Sequence, residues 1–317
     1  MPELRLRDLS EDERALYFRG VQPLWGGGLP EEQFVAYQRR LANSTEAEGR
    51  YRLLGLCSED GALFSAMKGY LLQGAHQGRP VRVLGIGAVW TPPALRRQGH
   101  AAEMLRRALP LYAGLGCDAA LLFTDIGTGY YARLGFSAVE SGECRVEARR
   151  LPRGGGFRPA APRDAEHLTR VLAGGRAAGS GFTLARDGWS LRFQLRRLRE
   201  LARVRNVGEP EWGVLAEGPG AAGGEAGAMI RHTRDAVDVL DAAWTSDAAR
   251  DALLSGLRDC LLRSGRTFLR VWPSHQLRGL WEAQPRTTAV AMVAPLRPGA
   301  PLPDAAGAAD LTLLDHI

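Results

Sequence analysis

Lysine is nearly absent from this chain. Of its 41 basic residues only Lys68 is a lysine, and the others are arginines. Long apolar runs are absent too, because none approaches the roughly 18 residues that a membrane-spanning helix needs. We therefore expect no membrane association. The charged first residues, Met1 to Arg5, lack the apolar stretch of a signal peptide, which favours a cytoplasmic protein.

Cysteine is also scarce, and its spacing excludes two classes of site. The chain has four cysteines, widely separated and without a Cys-x-x-Cys pair: Cys57, Cys117, Cys144 and Cys260. This pattern predicts neither a zinc site nor a disulfide framework, and it is typical of buried thiols in a reducing compartment. We expect no bound metal.

A concentrated basic region is missing as well. The formal net charge is +6, with a balance of +2 over residues 1–150 and +4 over residues 151–317. A nucleic-acid-binding module depends on clustered cations and shows strongly salt-dependent binding. The even mixture of charges argues against such a partner. The preference for arginine over lysine is interpreted as compositional.

The length of 317 residues predicts two domains. A stretch rich in arginine, proline and glycine at 149–156 predicts a linker, so we divide the chain into domains 1–150 and 157–317 joined by residues 151–156. Both halves show the same predicted order: strand, two helices, strands, helix, strand, short helix, strand. This order indicates an α+β fold, with a central mixed sheet flanked by helices, in two tandem copies. The proline-rich residues 295–309 are expected to be irregular.

The most informative segment is a strand that passes through a glycine turn into a helix. The apolar strand 81–90 is followed by Pro92 and Pro93, then by Gly99, and an apolar stripe predicts a helix to about residue 112. Pro110 is expected to kink this helix or end it early. Unpaired amides and the helix dipole make such a junction an anion site. Arg96 and Arg97 add phosphate-binding cations.

Two motifs in this region resemble those of the Gcn5-related N-acetyltransferases, or GNATs. The turn reads Arg-x-x-Gly-x-Ala from Arg96 to Ala101, like the family's pyrophosphate-binding motif. Past the next strand, residues 131–136 read Tyr-x-x-x-Gly-Phe, like a second family box. The first motif alone would fit a plain strand, turn and helix with surface arginines. The presence of both motifs in this order, over about residues 81–139, favours membership of the family.

A narrower resemblance concerns the acceptor. The stretches Thr91-Pro92-Pro93 and Thr124-Asp125-Ile126-Gly127 look like those of fungal lysine N6-acetyltransferases. This resemblance implies free lysine, or a similar small amine, as the molecule that receives the acetyl group.

The family resemblance implies acetyl-CoA as cosubstrate. Its pyrophosphate is expected on the backbone amides of the turn, and its pantetheine arm along the strand that ends near Thr91. An amide there, from Val89 or Thr91, is expected to hold the carbonyl oxygen of the thioester. The implied cofactor contacts are Val89, Trp90, Thr91, Arg96, Arg97, Gln98, Gly99, His100, Ala101 and Ala102.

The same resemblance implies Tyr131 as the general acid that protonates the departing thiolate. Tyr130 is the fallback, although packing on the core explains it better. The general base is not identified. Asp125, at the end of a strand near the expected cleft, is a candidate, and its alternatives are a capping or solvated carboxylate. A chain of water molecules could also serve.

The second half lacks the phosphate motif. Its equivalent junction, residues 242–250, has no glycine turn, and Asp247 is expected to cap the helix and repel phosphate. We therefore interpret this half as a degenerate GNAT-like copy. Its helix at 191–203 carries an arginine-rich face, which is either a solvated surface or a site for a substrate carboxylate.

The sequence thus predicts an N-acetyltransferase that acts on the primary amine of a small molecule. The alternative is a non-catalytic acetyl-CoA-binding sensor or scaffold. A homodimer stays open as an assembly.

Overall fold

The computed structural model describes residues 3–154, 157–177, 181–205, 214–216, 224–274, 276–300, 302 and 310–316. Residues 155 and 156 of the predicted linker lie outside this part of the chain. So do residue 301 and residues 303–309 of the predicted irregular tail.

The strands and helices follow the predicted mixed order with one exception. The short helix predicted near the end of the second half, at 276–282, is wrong, because these residues form turns and an isolated bridge. The strands are β1 Leu4–Asp8, β2 Tyr51–Ser58, β3 Leu63–His76, β4 Arg79–Trp90, β5 Ala119–Thr124, β6 Ser137–Ala138, β7 Gly142–Val146, β8 Phe157–Pro159, β9 Thr183–Leu184, β10 Val214–Ala216, β11 Ala226–His232, β12 Ala236–Trp244, β13 Phe268–Val271, β14 Gln284–Pro285 and β15 Val290–Pro295. The helices are α1 Glu11–Trp25, α2 Glu31–Ala42, α3 His100–Gly114, α4 Gly129–Ala132, α5 Ala165–Ala177, α6 Gly188–Arg205 and α7 Asp247–Ser264. None of the helices in the described part of the chain is both long and apolar enough to cross a bilayer.

The strands form two mixed sheets with matching topology. The first runs β1-β2-β3-β4-β5-β15-β6, with β9 also pairing to β3. The second runs β14-β7-β13-β12-β11-β10-β8. Each holds one central parallel pair, β4 with β5 and β12 with β13. The predicted α+β architecture with two similar copies is confirmed.

The two halves of the chain exchange strands between their sheets. Strand β15, from the second half, pairs antiparallel with β5 and β6 of the first sheet. Strand β7, from the first half, pairs with β13 and β14 of the second. Strand β7 thus belongs to the second sheet, although it precedes the predicted linker. A cut at residue 150 would remove β9 and β15 from the first sheet and β7 from the second.

The first sheet is buried on both faces. Residues of β2 alternate between the two sides: Leu53 and Cys57 lie in the core under α1 and α2, while Leu54 and Leu56 lie in the core under α3. This period of two lets one strand serve both cores. Because helices cover both faces, a ligand can reach the sheet only at its edges or at the ends of its strands.

Helix α3 continues past its proline, so the alternative that Pro110 ends it early is wrong. The helix runs on to Gly114, with Pro110 on its exposed side. A proline in a helix leaves the carbonyl four residues earlier without an amide donor. Here that carbonyl belongs to the exposed Arg106, where water can bond to it. Met104, Leu105, Ala108 and Tyr112 keep the opposite face buried.

A buried ion cluster fastens the last described residues to the body of the protein. The Arg186 guanidinium donates to the carboxylates of Asp241, on β12, and Asp315, the latter at 2.5 Å, and to the Thr312 hydroxyl at 2.9 Å. All four side chains are buried. Residues 310–316 are thus fixed against β9 and β12.

Replacing Arg186 by methionine should destabilise the fold by about 3–5 kcal/mol, because it removes the guanidinium that pairs with two buried carboxylates. Chemical denaturation would measure the loss. The matched control is Arg149→Met, which removes an ion pair with Glu147 that is exposed on both sides. It should leave the unfolding midpoint unchanged. Equal effects of the two variants would show that the cluster does not stabilise the fold.

Candidate active site

A cleft opens where β4 and β5 part. The two strands pair in parallel from Val83 with Ala119 to Ile86 with Leu122, and no further pairs follow although both strands continue. At that point Ala88 adopts a left-handed φ of 47°. The register between β3 and β4 also shifts there. This bulge turns β4 away from β5.

Helix α1 holds the bulge in place. The Tyr17 hydroxyl donates to the Ala88 carbonyl at 2.6 Å. The Trp90 ring is buried beside α1, where a Cβ on Gly20 would lie 2.1 Å from it. The Ser65 hydroxyl donates to the Trp90 carbonyl at 2.8 Å. The side chain of Trp90 therefore packs in the core, and only its backbone could contribute to the predicted cofactor contacts.

The predicted phosphate turn has the backbone shape that its sequence indicated. Arg97 and Gly99 both adopt left-handed φ values, 63° and 87°. A Cβ on Gly99 would meet open space, so the glycine is needed for its φ and not for room. The first bond back into helix α3 comes from the Glu103 amide, to the Gly99 carbonyl at 2.9 Å. The amides of residues 100–102 therefore have no intrahelical acceptor.

The charges around this turn suit an anion. Arg96 and Arg97 are both exposed. Glu103, in the first turn of α3, is paired with Arg107 at 2.7 Å, and this hydrogen bond lowers the pKa of its carboxyl. The His100 ring packs edge-on against Phe64, with centroids 5.0 Å apart. This turn fits a pyrophosphate such as that of acetyl-CoA, because it combines unpaired amides, two residues with left-handed φ values and two exposed guanidinium groups.

A cavity of about 530 Å³ adjoins the cleft. Residues of β3, β4 and β5 line one side, and α1, α2 and α6 supply much of the rest. The charged, titratable or amide side chains that line it are Tyr37, Gln38, Lys68, Tyr70, Asp125, Tyr131, Arg197, Arg231 and His316. Leu24, Trp25 and Ile126 form a partly exposed apolar rim. This volume is of the size that holds a small-molecule substrate.

Tyr131 projects into the cavity from α4, the short helix after β5. Its ring packs against Phe136 and edge-on to Tyr130, with centroids 6.0 and 4.9 Å away. Burial, with smaller contributions from Tyr130 and Asp125, raises the pKa of Tyr131 to about 12. The phenol therefore keeps its proton throughout the neutral range, as a hydrogen-bond donor to a departing sulfur must.

Asp125 lies at the same cavity with one oxygen already engaged. Its Oδ1 accepts the Ala289 amide at 2.7 Å, at the start of β15. Its side chain is exposed. The structure thus brings the two predicted catalytic residues, Tyr131 and Asp125, to one cavity, and it adds a structural contact for Asp125 that the sequence did not indicate.

Comparison with known proteins identifies the first half of the chain. Residues 6–139 match the family model of the acetyltransferase (GNAT) domain. This segment is therefore similar to GNAT acetyltransferase domains, and we call residues 6–139 the GNAT domain. A comparison with curated protein sequences finds no match.

Solved structures extend the likeness to the whole fold. A GCN5-related N-acetyltransferase from Kribbella flavida is 19% identical, with a TM-score of 0.66 over 92% of this chain and 71% of that one. Another from Anabaena variabilis is 13% identical, with a TM-score of 0.69 over 93% and 73%. A tandem GNAT protein from the clavulanic acid biosynthesis pathway is 12% identical, with a TM-score of 0.52 over 94% and 100%. The fold is therefore that of tandem GNAT proteins.

Outside the GNAT domain, the equivalent junction of the second sheet lacks a phosphate turn. Strand β12 reaches α7 through Thr245 and Ser246, neither of which is left-handed. The Ser246 hydroxyl caps α7 by accepting the Ala249 amide at 3.2 Å. The prediction that Asp247 caps this helix is wrong by one residue, since Asp247 is its first helical residue.

The second half still contributes to the cavity of the GNAT domain. From the basic face of α6, Arg197 lines the cavity, while Arg196 and Arg203 pair with the buried Glu200. Arg231, on β11, reaches the cavity while bonded to Asp238 at 2.6 Å. Sequence motifs did not indicate Arg231, because its position depends on how two distant segments pack.

His316 forms part of the same wall. Its ring lies 5.2 Å from that of Phe123 and 5.6 Å from that of Trp272, and Arg197 donates to its carbonyl at 3.1 Å. Burial, followed by the charge of Arg197, lowers the pKa of His316 to about 4. The imidazole is therefore neutral at neutral pH. In the described part of the chain, no cluster of three or more side chains is suited to a metal ion.

Proposed function

We propose that this protein is an acetyl-CoA-dependent N-acetyltransferase whose acceptor is a small primary amine carrying a carboxylate, with free lysine as the first candidate. The proposal rests on three features found where β4 and β5 separate. They are the phosphate-type turn, the protonated Tyr131 and the cavity.

Each part of the cleft has a role in this reaction. The turn from Arg97 to Ala102 would hold the pyrophosphate, with Arg96 and Arg97 beside it. Bound acetyl-CoA supplies the activated acetyl thioester. The amide of Val89 or Thr91 would hold the carbonyl oxygen as it gains negative charge. Tyr131 would hydrogen-bond to the sulfur and protonate it as it leaves.

The charge of the cavity supports an acceptor with a carboxylate. Among the described lining residues, Lys68, Arg197 and Arg231 are basic, and Asp125 is the acidic residue. Arg231 is already paired with Asp238, a carboxylate that also pairs with Arg270. Arg197 makes a hydrogen bond to a backbone carbonyl and none of the ion pairs between described residues. A guanidinium in this position suits a planar carboxylate.

Replacing Gly99 by alanine should weaken CoA binding about tenfold, because a left-handed backbone costs a residue with a Cβ about 1–2 kcal/mol. Isothermal titration calorimetry with CoA would measure this. The control is Gly114→Ala at the other end of α3, where the backbone is helical and nothing lies within 4 Å of the added Cβ. Equal CoA affinity in the two variants would show that the turn is not part of the CoA-binding site.

Replacing Tyr131 by phenylalanine should lower kcat about 10²–10³-fold with the CoA affinity retained, because only the proton donor is lost. Steady-state kinetics and calorimetry on the same preparation would separate the two effects. Tyr130→Phe is the control and should change kcat less than about threefold. Unchanged turnover in Tyr131→Phe would exclude Tyr131 as the general acid.

Replacing Arg197 by methionine should raise KM for lysine about 10–100-fold, in line with the loss of about 1.5–3 kcal/mol of charge-assisted hydrogen bonding. KM for cadaverine, which is lysine without its carboxylate, should not rise. The control is Arg192→Met, an exposed arginine on the same helix. Equal changes for both amines would exclude Arg197 as the carboxylate site.

A turnover screen over amino acids, polyamines, aminoglycosides and peptides would identify the acceptor class. Turnover of another class without turnover of lysine would reject the lysine assignment. CoA binding without turnover of any amine would instead support the non-catalytic sensor.

A further inference from the structure

The single lysine of the chain faces the acceptor cavity. Lys68 lies on β3, directly opposite Gly87 on β4, beside the bulge at Ala88. Its side chain lines the same cavity as Tyr131. Lysine side chains are usually exposed to solvent, so a lysine in a cavity wall is unusual. This position is next to the strand segment that would hold the thioester.

The surroundings of Lys68 do not balance its charge. Its Nζ donates to Oε1 of Gln38 at 2.9 Å, and Gln38 is buried and uncharged. No described carboxylate forms an ion pair with it. The titratable or charged groups that face the cavity from the surrounding elements are Tyr37 on α2, Tyr70 on β3, Asp125 after β5, Tyr131 on α4, Arg197 on α6, Arg231 on β11 and His316.

These surroundings favour the neutral amine. Burial, followed by the positive charge of Arg197, lowers the pKa of Lys68 from 10.5 to about 7. At neutral pH roughly half of the molecules would carry an unprotonated Lys68. An amine with such a pKa is well matched to accepting a proton under physiological conditions.

We propose that Lys68 is the general base that takes the proton from the acceptor's ammonium group. The inference rests on the proposed acetyl transfer and adds the residue that the sequence left unidentified. The other candidate, Asp125, is exposed and its Oδ1 is bonded to the Ala289 amide. Lys68 sits deeper in the cavity wall and offers a lone pair when neutral.

The proton and electron balance is complete with Lys68 in this role. The acceptor R–NH₃⁺ gives one proton to Lys68, which becomes an ammonium, and the resulting R–NH₂ attacks the carbonyl carbon. A C–N bond forms and the C–S bond breaks, with the electron pair leaving on sulfur. Tyr131 protonates the sulfur and recovers its proton from the new amide nitrogen. Lys68 then releases its proton to water, so the net products are the N-acetylated amine, CoA and one proton.

The first test measures the basicity of Lys68 directly. Because the chain has one lysine, protein labelled with ¹³C-lysine should give a single Cε signal whose chemical shift reports one titration. We expect a midpoint near pH 7. Arg197→Met should move the midpoint upward by removing a repelling charge, and Arg192→Met should leave it unchanged. A midpoint near 10 in the wild-type protein would overturn the proposal.

The second test is the pH dependence of kcat with lysine as the probe acceptor. In the wild type, kcat should fall about tenfold per pH unit below the pKa of Lys68 and level off above it. Lys68→Met should lower kcat at pH 7.5 about 10²–10⁴-fold. Its kcat should then keep rising toward the acceptor's own pKa of about 10.4, since solvent must remove the proton. Lys68→Arg should behave like Lys68→Met, because a guanidinium stays protonated.

Calorimetry with CoA shows whether these variants are folded, and their CoA affinity should match that of the wild type. Lys68→Met with a wild-type kcat and a wild-type plateau would reject Lys68 as the base while leaving acetyl transfer intact. A wild-type protein that turns over no amine would reject both the function and the base.

Discussion

The parting of β4 and β5 is the constraint on which the site depends. Two parallel strands that stayed paired to their ends would close the sheet, and no backbone edge would be available to a ligand. The left-handed Ala88, held by Tyr17 on α1, ends the pairing after Ile86. Lys68 lies beside the same bulge, on one side of the opening. Strand β4, which the bulge redirects, leads into the phosphate turn.

A cleft of this kind needs support behind β5, and the other half of the chain supplies it. Strand β15 pairs with β5 along its whole length. The Asp125 carboxylate accepts the Ala289 amide at the start of that strand. On the far side, Arg186 ties Asp315 to the β12 residue Asp241, which holds the segment ending at His316 against the cavity. The second copy therefore supports the site of the first copy structurally, and this role does not depend on a ligand of its own.

Local chemistry made half of this arrangement predictable. Gly99 and the apolar stripe of α3 predicted the turn and the helix, because the residues that determine both lie within some fifteen consecutive positions. The exchange of β7 and β15 was not predictable from pattern, since a strand's alternation does not say which sheet it joins. Arg231 and His316 reach the cavity from far along the chain, and no local signal marks them. That α3 continues past Pro110 was not predictable either, because the cost of a helical proline depends on whether the carbonyl that it leaves unpaired is exposed to water.

The near absence of lysine gains a chemical meaning at one position. Elsewhere in this chain arginine serves as the surface cation and the ion-pair partner, and its guanidinium remains charged at any physiological pH. A base must be able to lose its proton, and an arginine at position 68 could not do so in the same cavity. The composition thus makes Lys68 more informative than a lysine in an ordinary sequence. Its neighbour Arg197 has a double consequence. The guanidinium repels the protonated Lys68 in the empty cavity, and an acceptor carboxylate bound to it would relieve that repulsion. Substrate binding would then raise the basicity of Lys68 when it must accept the proton of the substrate's ammonium group.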